Sequence, residues 1–115
     1  SDTVRMKVED RFVLRPVDLV APVGTQQPVM IWELLAERRE GFPDLPAIER
    51  RAEDWVHAYE FYARREWAAA AEAFRSYEAT HGPDTVAHLY IERCEGFAVA
   101  PPSTDWNGVQ AFDHK

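Results

Sequence analysis

The 115 residues carry 20 acidic against 13 basic side chains, a net charge of −7, with 46% hydrophobic and 12% aromatic residues. That length suits one domain of ordinary globular composition, and no run approaches the roughly 18 apolar residues of a membrane span. Only two of the basic residues are Lys, and Arg sits among acids in Glu37-Arg38-Arg39-Glu40 and Glu49-Arg50-Arg51, so the clustered basic surface of a nucleic-acid binder is excluded.

The chain opens at Ser1-Asp2-Thr3 without an initiator Met, which fits a segment of a longer protein. The first region runs to about Leu35 and has the character of strand. Phe12-Val13-Leu14-Arg15 and Val17-Asp18-Leu19-Val20 form one β-rich stretch around Pro16, and Pro28–Leu35 forms a second. Between them Ala21–Gln27 is turn-prone at Gly24, so residues 1–35 predict an antiparallel hairpin. Pro16 and Pro28 lack a donor and belong at strand ends, edges or bulges. A lone hairpin is marginal in water, so this one is expected to pair with a second copy or to pack on the helices that follow.

Residues 36–46, broken by Gly41, Pro43 and Pro46, predict a linker with a short helical start at Leu34–Arg39. Residues 47–100 are helical by period. Ile48, Ala52, Trp55, Tyr59 and Tyr62 fall on one stripe, with Asp44 as the expected N-cap and Pro46 in the first turn. Arg64-Arg65-Glu66 predicts a turn. A second helix presents Trp67, Ala70, Ala71, Phe74 and Tyr77, and His81-Gly82-Pro83 stops it. A third, capped by Asp84 or Thr85, presents Val86, Tyr90, Cys94 and Phe97 with Leu89 flanking. Residues 101–115 form an extended tail carrying Trp106 and Phe112, either strand-like and packed on the helices or loosely held. The predicted fold class is α+β.

Two segments resemble a known family. Leu14-Arg15-Pro16-Val17-Asp18 through the Val23-Gly24-Thr25 turn to Pro28-Val29-Met30-Ile31-Trp32-Glu33-Leu34 is similar to the last hairpin of class III adenylate/guanylate cyclase catalytic domains. There an Arg-Pro-Leu-Asp strand leads through Val-Lys-Gly-Lys to Pro-Val-x-Ile-Tyr-Glu-Leu. The helical part and its Pro101-Pro102-Ser103-Thr104-Asp105-Trp106-Asn107-Gly108-Val109 ending resemble the TPR-like tails of bacterial members.

The resemblance implies that this chain is the C-terminal part of a cyclase, acting as a structural, regulatory or dimer-positioning tail. It implies the rest of the catalytic domain as partner, a homodimer, and Mg²⁺ or Mn²⁺ in the complete parent rather than in this segment. Two positions depart from the family: Val23 and Thr25 stand where it has Lys, and Thr25 cannot offset phosphate charge. The other family site residues would lie upstream of Ser1, so no catalytic residue is assigned here. The alternative reading is a stand-alone TPR-like module that binds a protein or peptide, and an enzyme in its own right ranks last. No direct membrane contact is expected.

Trp32, Trp55, Tyr59 and Trp106 are the candidates for an interaction surface, although most aromatics of so small a helical unit are needed for its core. Glu53, His57 and Glu60 recur at helical spacing that suits a divalent ion, a pattern that surface residues also produce by accident. His81 and His88 flank the break between helices and read as turn residues. Cys94, the single cysteine, lies on an apolar stripe without a partner base and reads as a buried thiol. A lone cysteine suits a reducing compartment, hence a cytoplasmic location, alone or as the cytoplasmic part of a membrane-anchored parent.

Overall fold

The computed structural model describes residues 11–21, 27–39, 41 and 43–111. An antiparallel pair of strands, β1 (Phe12–Ala21) and β2 (Val29–Glu37), is followed by three helices, α1 (Leu45–Ala63), α2 (Trp67–His81) and α3 (Thr85–Val99), and a short strand β3 (Val109–Ala111). The arrangement is α+β, as the sequence predicts. The tail returns to the sheet: β3 pairs in parallel with β1, Leu19 opposite Val109, giving the order β2-β1-β3. A parallel neighbour needs a long crossover, and the three helices supply it.

β1 is irregular where Pro16 stands. The β1–β2 register shifts between Pro16 and Asp18, and again between Val13 and Leu14. Proline offers the ladder no donor, and a bulge leaves backbone groups outside the regular pairing. Helical side chains meet two of these groups: the Trp55 indole donates to the Pro16 carbonyl, and the Tyr90 hydroxyl donates to the Val17 carbonyl at 2.7 Å.

The expected linker is shorter than the sequence suggests. Ala36 and Glu37 belong to β2 rather than to a helical start at Leu34–Arg39, because Ala36 pairs with Val13 and is buried with Val13 and Ala52. Asp44 precedes α1 but does not cap it with its side chain. Its backbone is left-handed (φ 57°), and its carbonyl accepts from the Ile48 N–H at 3.0 Å. Asp84, by contrast, is extended and caps α3, its Oδ1 accepting from the N–H groups of Val86 (2.9 Å) and Ala87 (3.0 Å). Gly82, at φ 99°, ends α2 in a backbone region that favours glycine.

The helical stripes meet in one aromatic core. Trp55, Tyr62, Phe74, Tyr77 and Tyr90 are buried there with Ala58, Ala70, Ala71, Ala87, Ile91 and Cys94. Trp55 lies edge-on to Phe74 at 4.9 Å and to Tyr77 at 5.2 Å, and Tyr62 is perpendicular to Tyr90 at 4.7 Å, geometries that aromatic quadrupoles prefer. The small alanines let the helices approach closely enough for these rings to interlock. Leu89, the flanking residue of α3, is largely exposed, and Ala87 and Ile91 are buried beside the expected stripe.

The tail is tied at its base. Arg65, left-handed at φ 65° in the α1–α2 turn, donates to the carbonyls of Pro102 and Ser103, both at 2.8 Å. Its guanidinium lies 5.6 Å from the Trp106 ring, which packs against Tyr62 and Trp67.

Candidate functional site

The residues with unusual chemistry gather where the sheet meets the helices. Arg15 occupies an inward position of β1, in a run otherwise read as apolar, and its side chain is only 2% exposed. Burying a guanidinium is costly unless it is paired and hydrogen-bonded. Here Nε donates to Glu33 Oε1 at 2.7 Å, Nη1 donates to the Tyr77 hydroxyl at 3.0 Å and to Asp84 Oδ2 at 2.9 Å, and Nη2 donates to Asp84 Oδ1 at 3.3 Å. Its planar face lies 4.3 Å from the centre of the Trp55 ring, a cation–π stack.

Asp84 therefore does two things. It caps α3 through its backbone contacts and receives both terminal nitrogens of Arg15. Arg51 adds a second cation, its Nε donating to the Tyr77 hydroxyl at 2.6 Å and its Nη2 standing 3.4 Å from Asp84. Burial alone would raise the Asp84 carboxyl, but the Arg15 hydrogen bond, the two α3 amides and the Arg15 charge outweigh it and hold the group below its usual range. For Arg15 burial works against the charge, and the hydrogen bonds it donates to Asp84 and Glu33 overcome it, so its pKa lies above the ordinary value.

A second tie lies three residues along the strand. Asp18 pairs side-on with Arg93 of α3, Nη1 to Oδ1 at 3.3 Å and Nη2 to Oδ2 at 3.2 Å, and both side chains are mostly covered. Arg93 stacks 4.9 Å from the Tyr90 ring. Burial raises the hydroxyl pKa of Tyr59 to about 12 and also that of Tyr90, so both stay protonated at neutral pH. The Tyr62 hydroxyl is buried too, and burial raises its pKa against the nearby Arg93 charge.

The chemistry of this joint is positional. Its carboxylates are ion-paired, Tyr59 and Tyr90 are held protonated, and Cys94 is buried with its thiol pushed up by burial to about 11, so no activated nucleophile stands at it among the described residues. Two charged residues of the sheet, Arg15 and Asp18, each grip a residue of α3 or of its cap. The chain matches no protein-family model, no curated protein and no solved structure.

The sequence candidates are dispersed. Val23 and Thr25 lie outside the described residues. Trp55 is fully buried at the centre of the core and presents no surface, because its ring fills the space between α2, α3 and Arg15. Tyr59 is half-buried between Tyr62 and Tyr90, and Trp106 is half-buried on Tyr62 and Trp67. Trp32 lies on β2 opposite Pro16 in register, and is also half-buried. The structure does not bring these four together as one surface.

No group of three or more His, Cys, Asp or Glu that suits a metal forms among the described residues; His57 instead packs against Phe61 at 5.0 Å. His81 is not merely a turn residue, since its Nε2 meets Asp54 at 2.8 Å and links α2 to α1. Sequence reasoning missed the joint itself. The available signal was an arginine at a core-facing position of an apolar strand, with an N-cap aspartate free to receive it.

Proposed function

We propose that this chain is the closing part of a class III adenylate/guanylate cyclase, and that its helical unit is a tail that positions the last hairpin of the catalytic domain. The observation that carries this reading is the double use of the Arg15-Pro16-Val17-Asp18 run. It lies within the segment that resembles the cyclase hairpin, and both of its charged residues are ion-paired with the helical unit. A tail that grips that strand at two points would hold it in place where it leads into the segment whose sequence reads as a turn, Ala21–Gln27. By resemblance, that turn is the one that approaches the nucleotide phosphates.

The parent would form a cyclic monophosphate from a purine nucleoside triphosphate, in the cytoplasm and as a homodimer. The Mg²⁺ or Mn²⁺ of a complete cyclase would be held by parts of the parent outside this chain. With Thr25 in place of Lys, the turn contributes no cation to the phosphates.

Reading the gene upstream of Ser1 tests the proposal. The expected result is roughly 150 further residues, one domain's worth, with two spaced aspartates, and cyclic nucleotide formed by the whole gene product from ATP or GTP with Mn²⁺. Arg15→Met in that product lowers its kcat. A start codon close to Ser1 contradicts the proposal and favours a stand-alone module. The 115-residue chain by itself yields no cyclic product.

A further inference from the structure

The sheet has an edge that the helices and the tail leave open. β3 takes the far side of β1, but among the described residues β2 has β1 on one side and no strand on the other. Protein sheets blunt such edges with Lys, Pro, bulges or very short strands. β2 is nine residues long and contains neither Lys nor Pro. Leu35 is the extra residue where the register shifts opposite Val13 and Leu14, so Val29–Leu34 runs without interruption. Five large apolar side chains are exposed among the described residues, and three fall in that run: Val29 at 48%, Ile31 at 41% and Leu34 at 55%. Ile31 stands opposite Asp18, which Arg93 of α3 holds, so Ile31 and Val29 flank the edge on the helix side. Leu34 stands opposite Leu14 and flanks it on the other face.

We propose that two copies of this chain join β2 to β2, antiparallel about a two-fold axis, into one continuous six-stranded sheet. Strand addition draws on the backbone N–H and C=O groups that an edge turns outward, and it needs no pocket. Charge and symmetry select the second copy. Glu33 is the one charged residue of Val29–Leu34, and Arg15 already holds it. A parallel pair in register would set Glu33 against Glu33, and like charges directly opposite are destabilising. A two-fold centred on Ile31 instead sets Ile31 against its own copy, Met30 against Trp32 and Val29 against Glu33, so no carboxylate faces another. Pairing of this kind uses the same edge in both copies and closes at two. So few paired residues bury less than the standard interface of about 1,600 Å², which makes the dimer weak and reversible. The net charge of −7 opposes the approach, and salt screens it. The inference goes beyond the cyclase reading, and molecular mass rather than cyclic nucleotide decides it, so either can fail alone.

Analytical ultracentrifugation of the full chain tests this. The expected result is a monomer–dimer equilibrium that moves towards dimer as protein concentration or salt rises. Ile31→Lys puts a cation at the centre of the edge and is expected to weaken the dimer by about ten-fold. Leu89→Lys, the same change at an exposed apolar residue of α3, leaves it unchanged. Circular dichroism checks that both variants are folded. Ile31→Cys keeps the edge uncharged and gives an inter-chain disulfide on mild oxidation, because residues facing each other across an antiparallel pair lie within disulfide reach. Leu89→Cys gives none. A chain that stays monomeric at every concentration overturns the proposal. Equal weakening by the two Lys variants, or equal cross-linking by the two Cys variants, also overturns it, because contact would then be unspecific. Growth beyond two copies contradicts the two-fold pairing.

Discussion

The helical unit and the sheet are held by different forces. The helices enclose a continuous core of large aromatics and alanines, whereas the second buried apolar cluster, shared by the sheet and α1, consists among the described residues of Val13, Ala36 and Ala52. The sheet is fastened instead by polar ties: Arg15 to Asp84, Asp18 to Arg93, and two strand carbonyls to Trp55 and Tyr90. Apolar burial is non-directional and tolerates small shifts, while charge-assisted hydrogen bonds demand one geometry. Hence the helices supply most of the stability and the ties supply register. The sheet depends on the helices more than they depend on it.

The largest expected effect comes from breaking the core. Phe74→Ala, a buried aromatic of α2, is expected to cost about 3–5 kcal/mol in urea denaturation and to unfold helices and sheet together. A sheet that kept its structure when the helices melted would break the comparison. Next, Arg15→Met removes one partner of a buried pair and is expected to cost about 3 kcal/mol. In hydrogen exchange its effect should be uneven, with the amides of β1 and β2 losing protection before those of α2.

Arg93→Met cuts the second tie, which water reaches more easily, so a loss of about 1–2 kcal/mol is expected in the same urea assay. The smallest effect separates the two roles of Asp84. Asn keeps the cap and loses the charge, whereas Ala loses both, so Asp84→Ala should be less stable than Asp84→Asn by about 1 kcal/mol.

Acid adds a check with a definite sign. The folded carboxyl of Asp84 titrates below its unfolded value, so its contribution is present above about pH 4 and is lost as pH falls through the folded value. Thermal melts of the native chain should show that loss on the acid side, and Asp84→Asn should lack this part of it.

The helices were legible because their period is strong and their ends are marked. His81-Gly82-Pro83 and Asp84 stop one helix and start the next where the sequence places the break. Asp44 has the same residue type as Asp84 yet does not cap, because a left-handed backbone takes its carboxylate away from the first turn. That difference is conformational and leaves no trace in residue type.

The joint was not legible for a related reason. Arg15 contacts residues 18, 62 and 69 positions away, and no local pattern reports pairings of that range. Trp55 shows the converse error. An aromatic on a helical stripe reads more readily as core than as groove, and the arrival of Arg15 and Pro16 over the Trp55 ring decides for core. The return of Val109–Ala111 to β1 was hidden too, since three residues hold too little pattern to mark a strand.

The central claim is that ion pairing between β1 and the cap of α3 holds the sheet on the helices. A double-mutant cycle with Arg15→Met, Asp84→Asn and the pair, read by urea denaturation at neutral pH, tests it most directly. A coupling energy of about 2 kcal/mol is expected, with the double variant far more stable than the sum of the single losses implies. Additive losses, with coupling near zero, would contradict it.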